Sequence, residues 1–227
     1  VTVQLAPTAV IHDRPFTDLR HTRYDLHALR FMISCACLAL ETLPTRLPPP
    51  NPSQSAGDSP RATCHAPPPL IIHQPNPDHW TQRLILTQPQ RLRDRRPLTV
   101  VGFFGLKSPV ANVALAQELD RELIPELTNH AELLAYVSIC LPTGNFGNLV
   151  LFASPEGKEA WGLSERHSAA VRLLTPDYYA AVRLYNGQLP DGVAACETLR
   201  LHLVKYYDYT SRPLWRAVRP LSAGDEP

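Results

Sequence analysis

The sequence predicts an α+β domain over residues 98–209, of the ferredoxin-like split βαβ kind: β-α-β-β-α-β plus an extra C-terminal strand. Three observations carry that reading. An apolar strand-like run ending in Ser-Pro and leading into a helix-like run occurs twice, at Ser108-Pro109 and at Ser154-Pro155. Serine is a good helix N-cap, and proline is best tolerated at the first helical position, where its missing N–H would be unpaired anyway. Each helix-like run is followed by another alternating, strand-like run. Between the two units, Pro142-Thr-Gly-Asn-Phe-Gly147 is a turn-rich link of hairpin type.

Taken in order, Leu98–Gly105 is a strand. A helix starts at Pro109, with Leu115, Ala116, Leu119, Leu123 and Leu127 on one face and Glu118, Asp120, Arg121 and Glu122 outward. Pro125 is expected to end or bend it. Strands follow at Glu132–Leu141 and Asn148–Ala153, then a helix over Glu156–Leu174. The next strand is Tyr178–Tyr185, stopped by Asn186-Gly187, and an alternating run at Leu199–Tyr207 is the extra strand. With both helices on one face of an antiparallel sheet, something else must cover the other face. Tyr136, Ser138 and Cys140 alternate with Ala135, Val137 and Ile139, and Tyr179, Ala181, Arg183 and Tyr185 alternate with Tyr178, Ala180, Val182 and Leu184. The larger, more polar set is expected to face a pocket or a partner's sheet.

Residues 1–97 read differently. They hold 15 of the 24 prolines and 11 Lys+Arg against 7 Asp+Glu, whereas the remainder carries 11 against 14. One helix is expected at about 17–43, on a stripe of Leu26, Leu29, Phe31, Ile33, Cys37 and Leu40. Pro44–Pro77 favours extended, solvated backbone and reads as a linker. Leu84-Ile-Leu86 is a short strand candidate, and Arg91–Arg96 is a basic patch. With 19 Arg, 3 Lys and 1 Met, the composition resembles translated GC-rich flanking sequence. The expectation is a largely disordered Pro/Arg-rich leader, then the domain, then a tail at 210–227.

Net charge is +1 and the hydrophobic fraction 44%, so no global charge calls for nucleic acid or a membrane surface. The most apolar N-terminal run, Leu29–Leu40, contains Arg30 and is shorter than the roughly 20 residues a bilayer span needs. Five scattered cysteines suit a reducing compartment, and the expected location is cytoplasmic. Cys35-Ala-Cys37, Cys64-His65 and His73 assemble no ligand quartet, and no metal site is expected. The tail mixes Tyr206, Tyr207, Tyr209 and Trp215 with arginines, and wrapping over a partner subunit is its expected use.

The order of elements, with the stretch Leu149-Val-Leu-Phe-Ala-Ser-Pro-Glu-Gly-Lys-Glu-Ala-Trp-Gly-Leu-Ser-Glu-Arg-His167, resembles the dimeric α+β barrel superfamily. It is similar to the strand–helix segment of antibiotic-biosynthesis-monooxygenase-like and stress-responsive barrel domains, where the helix carries an aromatic and then a histidine. The resemblance covers residues 98–209. It implies a homodimer paired sheet to sheet, with a small-molecule pocket between each sheet and its helices. Cofactor-free oxygenases, haem proteins and domains without known ligand all occur there, so no full catalytic set carries over.

His167 is the candidate catalytic residue. Its spacing to Leu163, Ala170, Val171 and Leu174 turns it toward the sheet, where an imidazole can move a proton, contact substrate or ligate haem iron. The bland alternative is a core histidine bonded to a backbone carbonyl. Trp161 reads first as packing. Arg183 binds an anionic group or makes an interface or structural ion pair, the pairing being the preferred reading. The candidate pocket is lined by Tyr136, Trp161, His167, Tyr179, Arg183 and Tyr185. Two readings stand. One is a homodimeric small-molecule-binding protein, monooxygenase-like on an aromatic or polyketide-like compound if it is an enzyme, with no cofactor expected and haem as the exception. The other is a non-catalytic dimerisation or regulatory domain.

Overall fold

The computed structural model of the chain describes residues 2–43, 70–75, 81–140 and 145–222. In chain order the elements are β1 (Thr2–Gln4), α1 (Leu19–Thr42), β2 (Leu70–Pro75), β3 (Thr81–Leu86), α2 (Pro89–Arg93), β4 (Leu98–Lys107), α3 (Val113–Asn129), β5 (Leu133–Cys140), β6 (Phe146–Phe152), α4 (Pro155–Leu163), α5 (Glu165–Tyr178), β7 (Tyr179–Leu189), β8 (Arg200–Asp208) and β9 (Trp215–Pro220). The architecture is mixed α+β, built on one nine-stranded sheet in the order β1-β9-β8-β7-β4-β6-β5-β3-β2. β1 runs parallel to β9, and the other pairs are antiparallel.

The sheet is apolar on both faces. Val100, Phe104, Val137, Leu149, Leu151 and Tyr185 point to one face and pack with α1. Ile85, Leu133, Val150 and Phe152 point to the other, against Leu127 of α3 and Trp161 of α4. A third cluster, Tyr178, Tyr179 and Val182 with Phe103, extends beneath the end of α5. The face that the sequence left for a partner's sheet therefore carries the chain's own first helix. Most of the described part of the expected leader is folded into the domain: α1 fills that face, and β1, β2 and β3 form outer strands of the same sheet. Composition misled here because residues 44–69 dominate the proline count. They and residues 76–80 lie outside the described residues, so the linker reading of Pro44–Pro77 is met only at Leu70–Pro75, which forms β2.

α1 starts where Asp18 accepts a hydrogen bond from the Arg20 N–H at 2.8 Å. Its buried stripe is Leu26, Leu29, Met32, Ile33, Ala36 and Leu40. Phe31, expected in the stripe, is exposed, and Met32 takes the inward position. At its C-terminus, Arg93 Nη2 donates to the Leu40 and Leu43 carbonyls at 2.7 and 2.8 Å, supplying donors the last turn lacks. A 24-residue helix is about 36 Å long, enough to cross about seven strands at their usual spacing.

The two Ser-Pro phrases do different things. Ser154 caps α4, accepting from Gly157 N–H at 3.1 Å, with Pro155 in the first turn. Ser108-Pro109 forms a turn instead, and α3 starts later, capped by Asn112, which accepts from Leu115 N–H at 3.1 Å. α3 continues through Pro125 to Asn129. The expected helix over Glu156–Leu174 is two helices, broken at Ser164. β7 runs through Asn186-Gly187 to Leu189, and the expected tail contributes β9, which pairs with β8 and β1 rather than extending toward a partner.

α1 seats on β4 at a glycine. A Cβ on Gly102 would lie 2.9 Å from both Leu29 methyl carbons, so the smallest residue lets the helix approach. Leu29 is completely buried. Leu29→Ala should destabilise the protein by about 2–5 kcal/mol in urea titrations. A loss below about 1 kcal/mol would show that α1 contributes little to the core.

Candidate functional site

The six residues expected around one pocket are divided between the two faces of the sheet. Arg183 and Tyr185 lie beneath α1. Arg183 donates to both carboxylate oxygens of Asp25, Nε to Oδ2 at 2.5 Å and Nη2 to Oδ1 at 3.0 Å. The Tyr185 hydroxyl donates to Asp25 Oδ2 at 2.8 Å, and Thr22 Oγ1 lies 3.4 Å from it. Asp25 is 4% exposed and Tyr185 fully buried. Burial pushes the Tyr185 hydroxyl well above its ordinary range, and the nearby Asp25 charge pushes the same way. Burial works against the Arg183 charge, but the Asp25 carboxylate outweighs it and the net direction is upward. The Phe104 ring lies under the guanidinium at 5.9 Å. Beside this group, fully buried Arg219 donates to the carbonyls of Thr17 and Ala9 and to the Tyr206 hydroxyl, at 2.8, 2.6 and 2.8 Å. Both arginines thus tie N-terminal segments to the sheet. Of the alternatives for Arg183, the structure shows structural pairing, with a carboxylate of its own chain.

Tyr179 departs from the alternation that grouped it with Arg183. A register shift between Leu106 and Lys107 in the β4–β7 pairing turns it to the opposite face, over Gly105 and against Phe103. A Cβ on Gly105 would fall 2.1 Å from the Tyr179 ring. Tyr136 is also on that opposite face, packed against the cluster containing Trp161.

Trp161 and His167 do come together. Their ring centroids are 5.0 Å apart, tilted by 42°. Ser164, the residue between α4 and α5, makes this possible. Its hydroxyl oxygen accepts from the His167 N–H at 3.2 Å, which places His167 in the first turn of α5. The same hydroxyl donates to Glu126 Oε1 of α3. His130 packs edge-on against Trp161 at 5.7 Å and Phe152 at 6.1 Å.

Two polar atoms in this cluster are buried without a hydrogen-bond partner among the described residues: His167 Nδ1 and Glu126 Oε2. Burial lowers the His167 pKa below its ordinary 6.5, with the Glu126 charge opposing in part. The imidazole is therefore neutral at neutral pH. The cluster combines an aromatic wall, a neutral base and a carboxylate oxygen. His202 is exposed on β8.

Sequence reasoning missed Glu126, Ser164, Asp25 and Arg219. Ser164-Glu165 was the available signal for the second helix start, since a serine cap followed by an acidic residue marks a new N-terminus. Asp25 carried no signal of its own on a helix taken to lie outside the domain.

Among the described residues, no three His, Cys, Asp or Glu side chains are grouped to hold a metal ion, and no helix is long and apolar enough to cross a membrane. No family model and no curated protein matches the chain. Two solved structures are similar over part of it. One is NE2512 from Nitrosomonas europaea, a protein of unknown function: 16% identical, covering 42% of this chain and 91% of its own, with a TM-score of 0.37. The other is SO0527 from Shewanella oneidensis: 14% identical, covering 42% of this chain and 95% of its own, with a TM-score of 0.35.

The Asp25–Arg183 pair gives a two-part prediction. Asp25→Ala should cost about 3–5 kcal/mol, because it strands a buried guanidinium, and the double variant Asp25→Leu/Arg183→Met should recover most of that loss. Additive losses in the denaturation cycle would overturn the coupling.

His167 predicts acid sensitivity. The unfolded chain takes up a proton near 6.5 while the folded imidazole resists it, so the unfolded state binds more protons as pH falls below that value. The stability contribution is complete above the unfolded pKa and is lost as pH falls toward the folded one. His21, lowered by burial and by Arg183, shifts the same way. Wild type should therefore lose more stability than His167→Asn between about pH 7.5 and about pH 5.5 in urea titrations. Equal losses would remove His167 from the account.

Proposed function

We propose that this chain is a small-molecule-binding protein whose ligand site is the Trp161–His167–Glu126 cluster on the helical face. The observation that carries it is the pair of buried, unmatched atoms, His167 Nδ1 and Glu126 Oε2. A buried polar atom without a partner costs about 1–3 kcal/mol, and a ligand hydroxyl can relieve that by donating to either one. The matching ligand is an aromatic or enolic compound, its ring against Trp161 and its hydroxyl toward His167 and Glu126. If turnover occurs, the imidazole takes the proton of that hydroxyl as an imidazolium stabilised by the Glu126 charge, which opposes the effect of burial, leaving a phenolate or enolate. Such an anion is what a monooxygenase-like reaction without a cofactor would start from.

The strand order β7-β4-β6-β5, all antiparallel, with α3, α4 and α5 connecting, supports a ferredoxin-like split βαβ core. A sheet-to-sheet homodimer of the barrel kind would need the face that α1 fills, so this proposal assigns function to the opposite face. The non-catalytic dimerisation reading needs that same face.

Thermal unfolding against a panel of phenols and naphthols, each paired with its deoxy analogue, tests the proposal. A hydroxylated ligand at 100 times its Kd should stabilise the protein by about 2.7 kcal/mol, and His167→Ala should abolish the shift. A panel without shifts, or shifts equal for the deoxy compounds, would refute it.

A further inference from the structure

A cavity of about 230 Å³ lies where the C-terminal end of α1 meets α2 and the short helical segment Val193–Thr198. It is on the α1 side of the sheet, away from the His167 cluster. Leu40, Leu92 and Val193 line it with hydrocarbon, and Arg93 and Arg95 with positive charge. Arg93 is fixed in place, since its Nη2 donates to the carbonyls of Leu40 and Leu43 at 2.7 and 2.8 Å. Its Nη1 is buried and has no hydrogen-bond partner among the described residues. A guanidinium held in this way keeps its positive charge fixed at the cavity, where it favours an anionic ligand. Arg95 is exposed at the same cavity, and the lining carries one carboxylate, Glu41, against the two guanidinium groups.

We propose that this cavity binds a short-chain carboxylate. The carboxylate pairs with the exposed Arg95 guanidinium, with the Arg93 charge beside it, and the chain lies on Leu40, Leu92 and Val193. The volume sets the ligand class. Sites for drug-sized molecules span about 300–1,000 Å³, so this one suits a smaller molecule. A lining of hydrocarbon and guanidinium groups together excludes inorganic anions as the best fit, because they leave the hydrocarbon uncovered.

Cys37 lines the same cavity and reports on its occupancy. Burial pushes its thiol up, with Glu41 and Cys196 adding to the shift, so its alkylation is slow enough to follow. The experiment treats the full chain with iodoacetamide, with and without hexanoate, and follows the Cys37 peptide by mass spectrometry. Cys140 on β5 is the internal reference. Hexanoate should protect Cys37 to saturation and leave Cys140 unchanged, while hexylamine protects neither. Arg95→Glu should raise the hexanoate concentration needed by about tenfold. Ala194→Leu, which narrows the cavity from its lining, should abolish protection. Thermal unfolding of the same samples is the second readout: hexanoate should raise the Tm of wild type and not that of Ala194→Leu. The proposal fails if hexanoate gives neither protection nor a Tm shift. It fails equally if hexylamine protects as well as hexanoate, or if both variants behave as wild type.

Discussion

Both faces of the nine-stranded sheet are apolar, and a sheet of that kind must be covered twice. α3, α4 and α5 cover one face. The other is left to α1, from a segment whose composition alone does not resemble a domain. Burying Leu26, Leu29, Met32, Ile33 and Leu40 supplies the energy, at about 1.5–3 kcal/mol per large side chain. The Asp25–Arg183–Tyr185 group does something different. A buried ion pair contributes little net stability against a hydrophobic replacement, but it is satisfied in one geometry only. Apolar contact lets a helix slide along a sheet; a carboxylate matched to two guanidinium nitrogens and a phenol fixes one register. Hydrophobic burial thus holds α1 down, and the polar group decides where it sits.

The legible part of the fold was the part with strong periodicity. The strands at β4 through β8 follow from spacing in the sequence, but the alternation within β5 and β7 did not show which residues share a face, since Tyr136 lies opposite Arg183 and Tyr185. A helix near residues 17–43 follows from spacing too, and so does the need for a cover on the second face. What spacing does not carry is which segment provides that cover. A partner's sheet and the chain's own helix satisfy the same pattern, because burial on a face looks alike whatever covers it. Prolines between 44 and 69 lowered the apparent order of everything before residue 98, although α1 itself contains no proline.

The candidate site was half legible for a similar reason. The pairing of Trp161 with His167 emerged from their shared stretch of chain, and the structure brings the rings to 5.0 Å. Assigning Arg183, Tyr185 and Tyr179 to the same pocket assumed an unbroken period of two along β7. The register shift at Leu106/Lys107 moves Tyr179 across the sheet, and α1 closes over Arg183 and Tyr185. A bulge leaves no mark in hydrophobic alternation when both faces are apolar, since an aromatic fits on either side.

Ser164 shows how much local chemistry rests on a single break in a helix. An unbroken helix over residues 156–174 would have put Trp161 and His167 six positions apart on one rod, about 600° of rotation and 9 Å of rise. That is 120° short of two full turns, on different sides of the cylinder. Stopping at Leu163 and restarting at Glu165 lets the chain turn, so the two rings face each other instead. The Ser164 hydroxyl then holds both partners of the cluster at once, accepting from the His167 backbone and donating to Glu126. With one oxygen of Glu126 engaged by the cap, the other is left unmatched near the buried imidazole. The capping requirement of a short helix therefore brings the carboxylate and the imidazole together, and the proposed site is a consequence of how the helix begins.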